Sequence, residues 1–418
     1  MLPVNQAEQL ILDLIPALNP QSSEEVALAA AVGRILALPV TGKADFPYWD
    51  NSAMDGYAVR FADVQHCSAE CPVVLTVVEE IPAGYAPQKT VHSGEAARIL
   101  TGSMLPVGAD TIVIQEETRR EGEYVTILAA PKHQAFVRHR AEFYQAGQPL
   151  LPAGIRLGAP EIAVLATAQC LTVPVYRRPR VAILSTGNEL VSPEQSLQPG
   201  QIVDSNQYAL AALVTLAGAE PLSLGIIHDQ PNRLKQAIAE AVATADIVIS
   251  SGGVSVGDYD YVDQILAELG AEIHIRAVAV KPGKPLTVAT FSNPSDITQP
   301  ERPPTLYFGL PGNPVSALVT FWRFVQPALR KRAGLATAWQ PIFLQGQTLQ
   351  DLCSDGKRET YLWGRTTCNG GRLQFQLASG SHSSGNLINL AQMNALAVLP
   401  IGQTIISAGE EVQIMQIN

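Results

Sequence analysis

Apolar positions along the chain change their spacing several times, and each change predicts a new kind of structure. Between residues 5 and 38 they recur at helical spacing, with Leu10, Leu14, Ile15 and Leu18 on one face, and Ser22-Ser23-Glu24-Glu25 reads as the cap of a second helix. From residue 46 to 147 the texture shifts to short β-type runs at 73–78, 97–100, 111–114 and 124–128, separated by turns, which predicts an all-β insert. Helical spacing returns at 159–170. After Arg177-Arg178-Pro179 the pattern alternates: an apolar run at 181–184, a helix at 208–216, strand 222–227, helix 232–243, the run Ile247-Val248-Ile249, and helix 261–269. Such alternation predicts a parallel sheet covered by helices. The polar, proline-rich stretch 293–304 reads as a surface excursion before a strand at 305–310. One more helix follows, with Asn313 as its cap, Pro314 at its first position, and Val315, Leu318, Val319, Trp322 and Val325 as its apolar face. Beyond Gly334, short runs at 341–344, 360–363, 373–377, 396–399 and 412–415 predict a small β-barrel.

The pattern divides the chain into four parts: a helical and linker part at 1–45 with 148–179, an inserted β domain at 46–147, an α/β domain at 180–332, and a C-terminal β-barrel at 333–418. Composition agrees with folded domains throughout, since 47% of the 418 residues are hydrophobic and only 16% charged. A net charge of −10 without basic blocks argues against a nucleic-acid or acidic-membrane surface, so any anionic ligand must be met locally. The five cysteines include one close pair, Cys67 and Cys71, at a spacing that is neither a zinc nor a thioredoxin pattern, and they read as reduced thiols. No signal-like start and no apolar run of about 18 residues is present, which predicts a cytoplasmic protein.

Candidate chemistry concentrates where strands end. Ser250-Ser-Gly-Gly-Val-Ser-Val-Gly257 follows a buried strand; Gly252, Gly253 and Gly257 let the backbone turn and approach a ligand, and such turns bind oxyanions. Lys281-Pro-Gly-Lys-Pro285 and Pro311-Gly-Asn-Pro314 are loops of the same kind, the second opening a helix whose N-terminus favours anions. Glu189, Asp229, Asp258 and Asp260 also fall at strand ends, the ligand edge of an open α/β sheet, and hard carboxylates beside phosphates suit Mg²⁺. Dinucleotide and P-loop fingerprints are missing. Gly253-Val-Ser255-Val-Gly257 satisfies the serine-hydrolase elbow pattern, but the strand stops short of the serine and the context does not support that chemistry.

Asn51-Ser-Ala-Met-Asp-Gly-Tyr-Ala58, Thr101-Gly-Ser-Met-Leu-Pro-Val-Gly-Ala-Asp110, Ser185-Thr-Gly-Asn-Glu-Leu190, the Ser250–Gly257 loop, Lys281–Pro285, Leu310-Pro-Gly-Asn-Pro-Val-Ser316 and Ser379-Gly-Ser381 together resemble the signatures of the MoeA family of molybdopterin molybdenumtransferases, whose eukaryotic relative is the gephyrin E domain. The resemblance runs in order over essentially the whole chain. It implies a central Rossmann-like α/β domain of the molybdopterin-binding type. It also implies an enzyme that takes adenylylated molybdopterin and molybdate, cleaves the phosphate anhydride with Mg²⁺, inserts the metal and releases AMP. On this resemblance Asp55, Glu189, Asp229 and Asp260 are the catalytic and Mg²⁺-binding acids. Thr101, Ser251, Gly252, Gly253, Ser255, Lys281, Lys284, Asn313, Pro314, Arg358 and Ser381 bind substrate.

Family members are homodimers whose Asp55-type loop serves the partner's α/β domain, and the adenylyltransferase that makes the substrate and the molybdoenzymes that receive the cofactor are candidate partners. The chain departs from the family at Arg140-Ala-Glu-Phe143, where Arg-Gly-Glu-Asp is common, so an expected acid is an aromatic. Two alternatives stay open: the preceding adenylyltransferase, whose fold resembles residues 180–332, and a gephyrin-like scaffold without catalysis.

Overall fold

The computed structural model describes residues 1–20, 23–252, 259–292 and 303–417, with the backbone alone at 259–261. Most of the expected excursion at 293–304 lies outside the described residues. Helix α1 (Val4–Asp13) buries Val4, Ala7, Ile11 and Leu12. The second helix expected after Ser22 does not form: Ser23–Ala27 is a strand, antiparallel to Thr172–Tyr176. Ala31, Leu36, Val40, Leu157, Leu165, Val173 and Val175 make a small core there. Pairing with the strand that contributes Val173 and Val175 satisfies the backbone groups of 23–27, and tertiary pairing overrides the capping signal.

The insert is a six-stranded sheet built from β1 (Gly56–Val59), β2 (Val73–Ile81), β3 (Glu95–Ile99), β4 (Thr111–Ile114), β5 (Thr118–Glu121) and β6 (Tyr124–Ile127), in the order β4-β1-β3-β2-β6-β5. Only β2 and β3 run parallel. Asp55 immediately precedes β1.

The α/β part contains β7 (Arg180–Thr186), α2 (Asn206–Leu216), β8 (Glu220–Ile227), α3 (Pro231–Thr244), β9 (Ile247–Ser251), α4 (Tyr259–Glu268), β10 (Glu272–Ala277), β11 (Pro285–Phe291) and β12 (Thr305–Leu310). Its strand order is β8-β7-β9-β12-β11-β10. The first four are parallel, as the alternation predicts, but β11 runs antiparallel to both its neighbours, β12 and β10, so the sheet is mixed. The reason is connectivity: no helix links β10 to β11, and without a crossover the chain returns antiparallel.

Side-chain alternation in the strands divides the sheet between two cores. Val181 and Ile183 face a core shared with Ile11 of α1 and Leu210 and Val214 of α2. Ala182 and Leu184 face Leu234 and Ile238 of α3 and Val262, Ile265 and Leu266 of α4. The first residues of the chain thus pack on the α/β sheet, far in sequence from it. After β12 comes α5 (Pro314–Thr320), a π-helical turn at Phe321–Val325, and α6 (Gln326–Arg332). Every residue from Val315 to Val325 is buried, so this helix is covered all round instead of along a single face.

Strands β13 (Phe343–Thr348), β14 (Glu359–Asn369), β15 (Arg372–Leu377), β16 (Ala395–Leu399) and β17 (Glu411–Gln416) follow in the order β14-β15-β13-β17-β16, and β16 pairs back onto β14. A closed five-stranded barrel results, as the C-terminal texture predicts. Tyr361, Trp363, Leu396, Val398 and Met415 of the barrel belong to the same core as α1 and the sheet. The short strand Val280–Lys281 pairs in parallel with Glu359–Thr360, which stitches the Lys281 loop to the barrel. Among the described residues no helix is long and apolar enough to cross a membrane.

Candidate active site

The parallel strands β7, β9 and β12 end at one edge, and β11 begins there because it is antiparallel. Gly252 leaves β9 with φ +95°, and a Cβ on it would stand 2.2 Å from the Thr186 carbonyl oxygen, so only glycine fits. Its N–H donates to Leu310 O (3.3 Å), and Gly312 lies against it, its ideal Cβ 3.4 Å from Gly252 Cα. Asn206, which sequence reasoning missed, pins the two loops together: its Nδ2 donates to Ser251 Oγ and to Gly312 O, both at 2.7 Å. Ser251 is buried and its hydroxyl is committed to this brace, whereas the buried Ser185 and Thr186 hydroxyls at the end of β7 find no hydrogen-bond partner among the described residues. Gly253, Ser255 and Asp258 lie outside the described residues. Asp260 sits in the first turn of α4, its side chain outside the description.

Asn313 occupies the N-cap position of α5 and Pro314 its first turn, but the Asn313 side chain makes no capping hydrogen bond. The Val315 N–H instead donates to Ser384 O of the barrel part (3.1 Å), which removes one of the free donors at that helix end.

Glu189 folds its carboxylate back over Gly187, where an added Cβ would be 2.7 Å from Oε2. The neighbouring Asn188 and Asp229 exchange hydrogen bonds, Asn188 N–H to Asp229 Oδ2 (3.2 Å) and Asp229 N–H to Asn188 Oδ1 (3.1 Å), so the loops bearing Glu189 and Asp229 are joined. Asp55 is engaged elsewhere: its Oδ1 accepts from both the N–H and the hydroxyl of Thr101 at 2.7 Å. Those two bonds, the hydroxyl's first, with the Arg98 charge beyond them, hold its carboxyl below the usual range. Thr101 therefore meets Asp55 before any ligand. Among the described residues no three Asp, Glu, His or Cys side chains gather to hold a metal ion.

A cleft of about 410 Å³ opens between the sheet edge and the barrel, lined by Lys281, Lys284, Ser316, Arg358, Trp363 and His382, with Ser383 and Ser384. Gly283, at φ +114°, presses this loop onto α5, where a Cβ would be 2.5 Å from Thr320 Cγ2. Lys281 Nζ is 2.9 Å from Asp355 Oδ2, and Arg358 Nη2 is 4.0 Å from the same oxygen. Arg358 also donates to Val280 O (3.4 Å), and Lys284 stands exposed. Ser381 is near this cleft without lining it; its hydroxyl accepts from Ser383 N–H (3.3 Å). His382 donates through Nε2 to Ala378 O (2.9 Å) and packs on the Trp363 ring at 4.5 Å. Asp355 and His382 were not foreseen; Asp355 follows only the two-residue strand Leu352–Cys353, too short to leave a periodic signal, and carries no motif, whereas His382 directly follows Ser379-Gly-Ser381.

Family models match in the same order as these parts. The MoeA N-terminal region (domain I and II) covers residues 2–168, a probable molybdopterin binding domain covers 182–331, and the MoeA C-terminal region (domain IV) covers 345–417. The molybdopterin molybdenumtransferase of Nostoc sp. is 60% identical over 415 residues, covering 99% of this chain and 93% of that protein. The chain belongs to the MoeA family. The molybdopterin molybdenumtransferase of Haemophilus influenzae is 33% identical and is aligned over 100% of this chain and 99% of its own length. A crystal structure of the molybdopterin biosynthesis MoeA protein of Pyrococcus horikoshii OT3 superposes with a TM-score of 0.83 at 28% identity, covering the whole of both chains. The MoeA family is one of transferases in molybdenum cofactor biosynthesis, and the segments that carry its signatures here are the sheet-edge loops, the Asp55 turn and the barrel loop at Ser379–Ser381.

Where the sequence reading expects an acid, Phe143 is exposed and its ring lies 5.8 Å from that of Phe46. The adjacent Glu142 turns its carboxylate back to accept the His139 N–H (2.9 Å) within its own turn. Ala141 holds φ +63°, a conformation that favours glycine. Arg140 is drawn to Asp45 (2.6 Å), and its N–H binds Asp50 (2.7 Å).

Proposed function

We propose that this chain inserts molybdenum from molybdate into adenylylated molybdopterin, with Mg²⁺-dependent release of AMP, as a cytoplasmic homodimer. The observation that carries the reading is a cationic cleft built from Lys281, Lys284 and Arg358 beside the glycine loop at Gly252, both reached from one sheet edge. In this reading the three cations hold molybdate oxygens through charge-assisted hydrogen bonds. Gly252 with Gly253 and Ser255 receives phosphate at backbone N–H groups. Ser251 keeps that loop in place through Asn206, and the start of α5 at Asn313 and Pro314, with Ser381, lines the approach.

Glu189 and Asp229, hard carboxylates on joined loops, fit an ion that takes one or two acidic ligands and keeps several waters. Asp260 and Asp55 are the further candidates for it. Bound there, Mg²⁺ would neutralise phosphate charge as the anhydride is hydrolysed. Asp55, kept ionised by Thr101, can accept a proton, and its engagement within the insert favours delivery to a partner's sheet edge. The adenylyltransferase supplying the substrate and the acceptor molybdoenzymes are the expected partners. The four-part division at residues 45, 147, 179 and 332 is proposed with this function.

A single-turnover assay with adenylylated molybdopterin tests the reading. AMP release should require both molybdate and Mg²⁺, and Arg358→Met should raise the half-saturating molybdate concentration about tenfold. No AMP release from the intact protein would refute it.

A further inference from the structure

We propose that Asp355 is a built-in counter-anion of the oxyanion cleft, and that an incoming oxyanion binds by taking Lys281 away from it. The inference rests on the reading of the cleft above but concerns a residue outside it. Asp355 is not part of the cleft wall, yet its Oδ2 is the partner of Lys281 Nζ at 2.9 Å and lies 4.0 Å from Arg358. Two of the three cations that face the cleft are therefore already turned toward a carboxylate.

The carboxylate, though exposed, is tied to its own turn, and that turn is braced, which makes it a competitor that stays in place. Its Oδ1 accepts the Lys357 N–H (3.0 Å), and the preceding Ser354 is anchored to the neighbouring loop by Ser354 N–H to Thr404 O (2.8 Å) and Ser354 Oγ to Gln403 O (2.7 Å). Gly356, at φ +67°, closes this turn, donating to Ser354 Oγ (2.9 Å) and accepting from Gly402 N–H (2.8 Å). Lys281 has the freedom that Asp355 lacks, being a four-carbon stem that is 42% exposed. In the exchange Asp355 stays and the ammonium swings. The bonds from Lys281 and then Lys357 also keep the Asp355 carboxyl below its usual range, so it remains an anion at neutral pH.

Charge then sets what the cleft accepts. Lys281, Lys284 and Arg358 against Asp355 leave two positive charges, the complement of a doubly charged tetrahedral oxyanion. A singly charged anion gains too little from Lys281 to offset the lost ion pair, so Asp355 selects for dianions and keeps their affinity moderate, which favours release of the metal to the pterin.

Isothermal titration of the full chain with molybdate, at constant ionic strength, decides the matter. Asp355→Asn should bind molybdate about three- to tenfold more tightly, the size expected when one charge is removed from near a dianion in a solvent-exposed cleft. It should also gain measurable affinity for a monoanion, perchlorate. In a Lys281→Met background the same Asp355→Asn change should tighten binding by less than half as much on the free-energy scale, because the contested lysine is gone. Equal or weaker molybdate binding by folded Asp355→Asn would overturn the inference and make Asp355 a support for Lys281. No molybdate uptake by the wild type, or unchanged uptake in Lys281→Met, would instead overturn the assignment of the cleft itself.

Discussion

At the scale of single residues, the site depends on side chains that hold loops as much as on those that face a ligand. Asn206 donates to Ser251 and to Gly312, and it is nearly buried. Asn206→Ala should lose about 1–3 kcal/mol of stability, since a buried hydroxyl and a loop carbonyl both lose their donor. Loop slackness should also lower turnover more than it changes molybdate affinity, and denaturant unfolding with steady-state kinetics measures both. Phe143 behaves differently because it is 58% exposed and touches chiefly Phe46. Phe143→Asp should cost at most about 1 kcal/mol, the worth of one aromatic pair, while saturation by Mg²⁺ moves to lower concentration and turnover changes little. A hundredfold rise in turnover would mean that the missing acid limits the natural protein. The turns at Gly252 and Gly283 and the placing of Glu189 and Asp229 after strand ends were legible in the sequence because a backbone turn next to a buried strand is a local event. Asn206 was not, since nothing local distinguishes it from an ordinary helix-start asparagine.

At the scale of elements, buried ion pairs join parts that the chain keeps apart. Arg323, in the π-helical turn, meets Glu8 of α1 (2.7 Å) and the Tyr361 hydroxyl of β14 (3.0 Å), and Tyr361 in turn donates to Glu359 at 2.5 Å. A second centre lies at Asp246, just before β9, which binds Arg177 (3.0 Å), the Arg180 N–H (2.8 Å) and Arg332 (3.7 Å). Burial raises its carboxyl, but the bonds from Arg177 and the Arg180 N–H, with the charges of Arg177 and Arg332, more than reverse this and leave it below the usual range. The unfolded chain therefore takes up the proton first as pH falls. The stabilisation is complete above about pH 4 and is lost as pH drops through the lower folded value. Asp246→Asn should be less stable by about 2–3 kcal/mol at pH 7, less than a fully buried pair because Arg177 is half exposed. The gap in melting temperature between variant and wild type should narrow below pH 4. Strand periodicity at 181–184 and 247–249 was readable because both faces of those strands are covered. The strand at 23–27 was not, because its ladder partner lies at 172–176 and pairing at that distance leaves no local mark.

At the scale of the whole molecule, Asp55 and the acids of the sheet edge stand on different parts, Asp55 tied to Thr101 within the insert and Glu189 and Asp229 on loops of the α/β sheet. In a homodimer that shares its sites, mixing Asp55→Asn with Asp229→Asn protein, each inactive alone, should restore one intact site in each mixed dimer, up to about a quarter of wild-type activity per chain at random exchange. Confirmed exchange without recovery of AMP release would place each site within one chain. The same distinction of scale separates what sequence and tertiary structure each decided. Apolar spacing, turn residues and motif order by themselves determined the β insert, the α/β alternation, the closing barrel and the turns at Gly252 and Gly283, because each is a response of a short segment to the need to bury one face and satisfy its backbone. Only the tertiary structure decided that α1 covers the α/β sheet, that β11 runs against both its neighbours, and that the 281–284 loop meets the barrel. It alone set Lys281 against Asp355, 74 positions away. Periodicity states that a face must be covered; which surface covers it, and which charge finds which, follows from the free energy of the whole packed chain.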